Sequence, residues 1–196
     1  MKSLNYTNMC LKTNSTRKST AKNPIRCLKV VAVSNTPDGP VYHSFYSFNG
    51  SIEYKIGDTA DMNDGRGIKD ELRTLPYYGY EKGQLNESDD FKRRVEAGIH
   101  TFSPEGDAAR SVYEWGKQEL EYYSGTIKDS DDVERDDVAI LECEIPVGAE
   151  YYKGVATCFQ DSYQVDERGY VSDKLHIIRA LSEEEINALP YVDVPY

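Results

Sequence analysis

Few residues in this chain have the types and spacing to do chemistry. It carries three histidines, His43, His100 and His176. An imidazole titrates near neutral pH and can act as acid, base or ligand. His100 stands in Gly98-Ile99-His100-Thr101-Phe102, followed by Ser103-Pro104-Glu105-Gly106-Asp107. That order reads as a buried strand running into a capped helix. Ser103 suits the N-cap, Pro104 the first helical position, and Glu105 and Asp107 the positive end of the dipole. A histidine there could face an anionic ligand beside the helix end. The ordinary alternative is a half-buried histidine bonded to a backbone carbonyl, since one such residue is weak support for chemistry. His43 lies in the alternating run Val41-Tyr42-His43-Ser44-Phe45-Tyr46, where a structural strand histidine is again the ordinary reading.

Other reactive patterns are thin. The four cysteines, Cys10, Cys27, Cys143 and Cys158, have no paired short spacing, so they form no zinc or redox motif and are expected as free thiols. Asp61-Met62-Asn63-Asp64-Gly65-Arg66-Gly67 resembles half a calcium loop but lacks the ligand spacing and the closing glutamate. No metal site is therefore expected. There is no glycine-rich phosphate loop and no nucleophile elbow. Pro76-Tyr77-Tyr78-Gly79-Tyr80 could stack on a base or sugar, or be a plain surface aromatic cluster.

The elements that must position these residues alternate between strand signals and one long helix. Strands are expected over residues 25–34, 41–48 and 51–56, separated by Asn35-Thr36-Pro37-Asp38-Gly39-Pro40 and Asn49-Gly50. Residues 58–90 are irregular, with short helices expected over 69–75 and from about 86 to 95. The main helix should span about residues 104–123, with the stripe Ala109, Val112, Tyr113, Gly116, Leu120 and Tyr123 facing the core. Further strands are expected over 138–145, 151–159 and 175–181, with an acidic loop at 129–137, a polar loop at 160–169 and an edge strand in the tail. Ser182-Glu183-Glu184-Glu185 is a capping box for a short helix. The implied fold is α+β: a mostly antiparallel sheet with one long helix packed on it, plus short helices. Residues 1–24 are read as a flexible basic arm and 25–196 as a single α+β domain.

Charge is uneven. The first 37 residues hold seven Lys or Arg and no Asp or Glu, which leaves 16 basic against 34 acidic residues in the rest, a net of −18. Nucleic acid is an unfavourable partner except through the basic arm. No apolar run approaches the roughly 18–20 residues that cross a bilayer, and no secretion signal is visible at the start. The expectation is a cytoplasmic protein with no membrane partner. Sixteen tyrosines in 196 residues suit a recognition surface, because each offers large area and a polar handle with few rotors. They also suit a sheet core in which tyrosine replaces Phe and Leu.

Two resemblances add to this. Leu28-Lys29-Val30-Val31, Tyr54-Lys55-Ile56-Gly57, Gly98-Ile99-His100-Thr101-Phe102, Ile145-Pro146-Val147-Gly148-Ala149-Glu150-Tyr151-Tyr152 and Ser172-Asp173-Lys174-Leu175 resemble marks of small bacterial and phage proteins grouped as domains of unknown function. That resemblance implies an accessory, phage-borne protein and assigns no activity. The chain is also similar to ADP-ribosyltransferases of the His-Tyr-Glu type. Val41-Tyr42-His43-Ser44 looks like their histidine strand, and Gly98-Ile99-His100-Thr101-Phe102 looks like their Gly-Ile-Tyr-Phe strand, with histidine at the tyrosine position and one residue inserted. Tyr170-Val171-Ser172-Asp173 is similar to the late strand, but Arg168 falls near the expected glutamate, beside Glu167. Glu142-Cys143-Glu144 offers another glutamate. This resemblance implies that His43 anchors an NAD ribose and His100 faces the nicotinamide. Glu144, Glu142 or Glu167 would then stabilise the oxocarbenium-like transition state.

Two functions follow. One is a small accessory protein that binds an unknown host or phage protein through an acidic, tyrosine-rich surface and needs no cofactor. The other is an NAD-dependent transferase or a degenerate relative of one, with His43, His100 and Glu144 as its catalytic residues. They differ in geometry, since an enzyme needs both histidines and one glutamate to meet at a cleft.

Overall fold

The computed structural model describes residues 10–44, 52–62, 72, 74–76, 93–95, 97–122, 127–128, 134–157 and 167–191. The chain opens with β1 (Cys10–Thr13) and β2 (Ser19–Thr20), followed by the long β3 (Ile25–Thr36) and β4 (Gly39–Ser44). Short strands follow: β5 (Glu53–Tyr54), β6 (Thr59–Asp61), β7 (Thr74–Pro76), β8 (Arg93–Val95) and β9 (Ile99–Phe102). After α1 (Ala108–Tyr122) come β10 (Ile127–Lys128), β11 (Glu134–Arg135), β12 (Asp137–Ile145) and β13 (Glu150–Thr157). The described chain closes with β14 (Glu167–Ser172), β15 (Lys174–Ala180) and α2 (Glu183–Ala188).

Every pairing among the described residues is antiparallel. The main sheet runs β6-β15-β12-β3-β9-β14-β13-β1-β8-β7, with β2 on β13, and with β4 on β3 carrying β5. Its centre is β3, whose residues from Cys27 to Val33 are all buried. A strand covered on both faces reads as a near-continuous apolar run, and Cys27-Leu28-Lys29-Val30-Val31-Ala32-Val33 is such a run with one lysine in it.

The expected α+β fold, a long helix packed on a sheet with several short helices, is overturned. The described residues are mostly antiparallel sheet, with two helices among them and only one of seven residues or more. The physical reason lies in segments that carry no clear strand pattern of their own. Residues 74–75 and 93–95, where short helices were expected, lie in β7 and β8. Residues 134–135 and 167–169, expected as loop, lie in β11 and β14. Within the expected basic arm, Cys10–Thr13 forms a strand between β13 and β8, with Leu11 only 1% exposed, while residues 1–9 lie outside the described residues. β1 takes its backbone hydrogen bonds from the distant β13 and β8, which local pattern does not reveal, whereas β11 pairs the nearby β10 and β14 the preceding β13.

The helix is also shorter than expected. Residues 104–107 form turns, with the Gly106 N–H donating to the Ser103 carbonyl at 3.3 Å, and helical bonding begins with the Ser111 N–H on the Asp107 carbonyl at 3.0 Å. Ala108, Ala109, Val112 and Leu120 join Leu28, Val30, Phe102, Val138 and Ile140 in one apolar cluster. On the opposite face Cys27, Val31, Tyr54, Ile99, Leu141, Cys143, Leu175 and Ile177 form a second. The capping box at Ser182 is present as expected: its hydroxyl accepts from the Glu185 N–H, and the Glu185 carboxylate accepts from the Ser182 N–H. Most of residues 61–67, the tyrosines of 76–80 and residues 192–196 of the tail lie outside the described residues.

Candidate functional site

Strand alternation decides which side chains can meet. On β3, Leu28, Val30 and Ala32 face the α1 cluster, while Cys27, Lys29 and Val31 face the other way. His43 sits opposite Ala32, and Phe102 opposite Leu28, so His43 and His100 fall on the α1 side of the sheet. Glu142 and Glu144 are level with Leu28 and Arg26, which puts them on that side too.

Sharing a face does not bring the glutamates to His43. Glu144 is level with Arg26 and His43 with Ala32, a separation of about 20 Å along the strand direction at the usual rise per residue. Glu142 is level with Leu28, still about 13 Å from His43 on the same measure. Glu142 is also engaged: it is 8% exposed, Arg26 donates to one carboxylate oxygen, and the Arg179 Nε–H donates to the other at 2.8 Å. Arg179 then reaches Glu185 at 2.7 Å, so this carboxylate ties β12 and β15 to the start of α2. Glu144 is half-buried and lies opposite both Arg26 and His176. Glu167, expected in a loop, opens β14 opposite Ala156.

His100 is held by its own strand. Its Nδ1 lies 3.1 Å from the Gly98 carbonyl, so the Nδ1–H tautomer donates to that oxygen and leaves Nε2 as the acceptor. Nε2 is enclosed and has no hydrogen-bond partner among the described residues. Burial first, and then the Lys29 ammonium, lower the ring's pKa to about 4, so the imidazole is neutral at physiological pH. This is the geometry of the carbonyl-bonded histidine. Gly98 makes it possible: its φ is +136°, and a Cβ there would fall 2.2 Å from Val171 Cγ1.

Directly behind His100, on the opposite face, is a polar group that sequence reasoning missed. The Lys29 ammonium is buried and donates to the His100 carbonyl at 2.9 Å, with the Tyr54 ring centroid 5.8 Å away. Burial lowers its pKa to about 8. The Tyr54 hydroxyl and the Ser44 hydroxyl share a hydrogen bond of 3.1 Å beside it. Cys27 and Cys143 complete the cluster, with burial raising Cys27 to about 12 and Cys143 higher still. The signal was legible in principle: a lysine in the middle of a two-sided apolar run has nowhere to go but inward.

Among the described residues, no group of three or more His, Cys, Asp or Glu could hold a metal ion, and no helix is long and apolar enough to cross a membrane. Asp61, at the start of the half calcium loop, is in β6 and pairs with Lys174 at 2.9 Å. Compared with protein-family models, with curated proteins and with solved structures, the chain matches none.

Proposed function

We propose that this chain is a small cytoplasmic accessory protein that acts by binding, engaging a host or phage protein through acidic and tyrosine-bearing surface. The observation that carries this reading is the spread of the candidate catalytic groups. His43 and His100 lie about two residues apart on one face and one edge of β3, while Glu144 stands about 20 Å from His43 along the strand direction and on the far edge. His100 is locked neutral on its own strand. Charge supports the same reading: at a net of −11, the molecule attracts basic surface and repels nucleic acid and anionic membrane. Tyr42, Tyr113, Tyr151 and Tyr170 are half-buried and Tyr191 is 40% exposed, so part of each is open to a partner. Tyr54 and Tyr152 are buried and belong to the core.

The test is capture from a bacterial lysate on immobilised protein, repeated with exposed Asp58, Glu183 and Glu184 changed to Lys. A partner retained by the parent chain, released by salt and lost by the charge-reversed variant supports the reading. Retention that ignores both salt and charge contradicts it.

The NAD-dependent transferase remains the second reading, because His43 and His100 do share one face of the sheet. On that reading Glu144 is the catalytic carboxylate, and NAD must cross β3 and span about 20 Å along it from His43. Saturable NAD binding that weakens in a His43→Ala variant would favour the transferase over the binder.

A further inference from the structure

Cys27 and Cys143 are 116 positions apart in the chain, yet they are direct partners across the central β3–β12 pair. Both are free, both are 0% exposed, and both belong to the cluster on the face away from α1. Residues directly opposite on antiparallel strands have Cα atoms about 4.5–5.5 Å apart and side chains on the same side. That lies within the roughly 4.4–6.8 Å that a disulfide bridges. Lys29, two residues along β3 on the same face, sets a buried ammonium beside the two thiols, and the Thr101 side chain hydrogen-bonds Cys27. Burial holds both thiols well above their ordinary range and Lys29 offsets only part of that, so the reactive thiolate forms when the strand pair opens to solvent.

We infer that Cys27 and Cys143 form a cross-strand dithiol that a peroxide closes to a disulfide, a redox modification site at the centre of the sheet. One sulfur, as thiolate, attacks a peroxide oxygen. The O–O bond breaks, hydroxide leaves and takes up the thiol's proton as water, and that cysteine becomes a sulfenic acid. The second sulfur then attacks the sulfenic sulfur, the S–O bond breaks, and its hydroxyl leaves with the second thiol proton as another water. Two thiols and one hydrogen peroxide give one disulfide and two waters. In a reducing compartment the pair rests as thiols and closes only under oxidative challenge. The site is independent of which partner the surface binds.

The experiment exposes the full chain to hydrogen peroxide, then blocks thiols and maps peptides without reduction. The expected result is loss of two hydrogens from the intact mass and a peptide linking Cys27 to Cys143, both reversed by dithiothreitol. A Cys27→Ser variant should lose the linked peptide, and Cys143 should proceed to higher oxides instead. Met62, 4% exposed in the same cluster, reports by sulfoxide formation whether peroxide reaches the core. Cys27 and Cys143 recovered as thiols overturn the inference, whether Met62 is oxidised or spared. Linkage of either one to Cys10 or Cys158 overturns it equally.

Discussion

At the scale of single residues, His100 and Gly98 carry the sharpest expectations. The folded His100 titrates near 4 against an ordinary value of 6.5, because burial and Lys29 oppose its charging. Between those values the unfolded chain binds more protons than the folded one, so stability rises with pH through the window and is fully present above it. The contribution is at most about 3 kcal/mol for a shift of this size. Urea midpoints measured from pH 7 to pH 4 should therefore fall more steeply in the parent than in a His100→Asn variant. Parallel curves would mean that the ring charges freely in the fold. Gly98→Ala should be among the most damaging single changes. It combines a positive φ with a Cβ lodged against Val171, and a loss on the order of 3 kcal/mol follows. A melting temperature unchanged by this substitution would contradict the backbone described here. Neither residue's surroundings were legible beforehand. The strand holding His100 was plain from Ile99 and Phe102, but its packing against Val171 depends on pairing with β14.

At the scale of elements, legibility followed local pattern. β3 and β12 were readable because their apolar runs are long and end in turns. α2 was readable because Ser182 and Glu185 stand at capping-box spacing. β1, β7, β8 and the start of β14 were not, because short strands with polar residues carry little pattern of their own, and β1 also depends on the distant β13 and β8. The same limit hid the Cys27–Cys143 pairing, which needs the register of two strands far apart in sequence. Two substitutions test the face of α1. Val112, 1% exposed among β3 and β12 side chains, cannot accept an unpaired carboxylate, and Val112→Asp should cost several kcal/mol, comparable to the whole stability of a domain. Glu114 is half-buried and pairs with Arg110 at 3.5 Å. Losing that i,i+4 pair in Glu114→Lys should cost only about 0.5 kcal/mol. Equal melting temperatures for the two variants would place the wrong face inward. Removing residues 1–13 tests β1: it uncovers the edges of β13 and β8 and should lower the thermal midpoint. An unshifted midpoint would restore the flexible arm.

At the scale of the whole molecule, the account rests on an antiparallel sheet whose acidic body carries scattered chemical groups and a buried interior cluster. Glu144 is separated from His43 by about 20 Å along β3, and the buried polar groups Lys29, Tyr54, Ser44, Cys27 and Cys143 are closed inside the opposite face. A surface that binds fits this arrangement better than a cleft that catalyses. Calorimetric titration of the full chain with millimolar NAD tests that claim most directly. The account predicts no saturable heat, with the parent and a His43→Ala variant indistinguishable. Saturable heat in the parent that is lost on removing His43 would contradict it and make the transferase the better description.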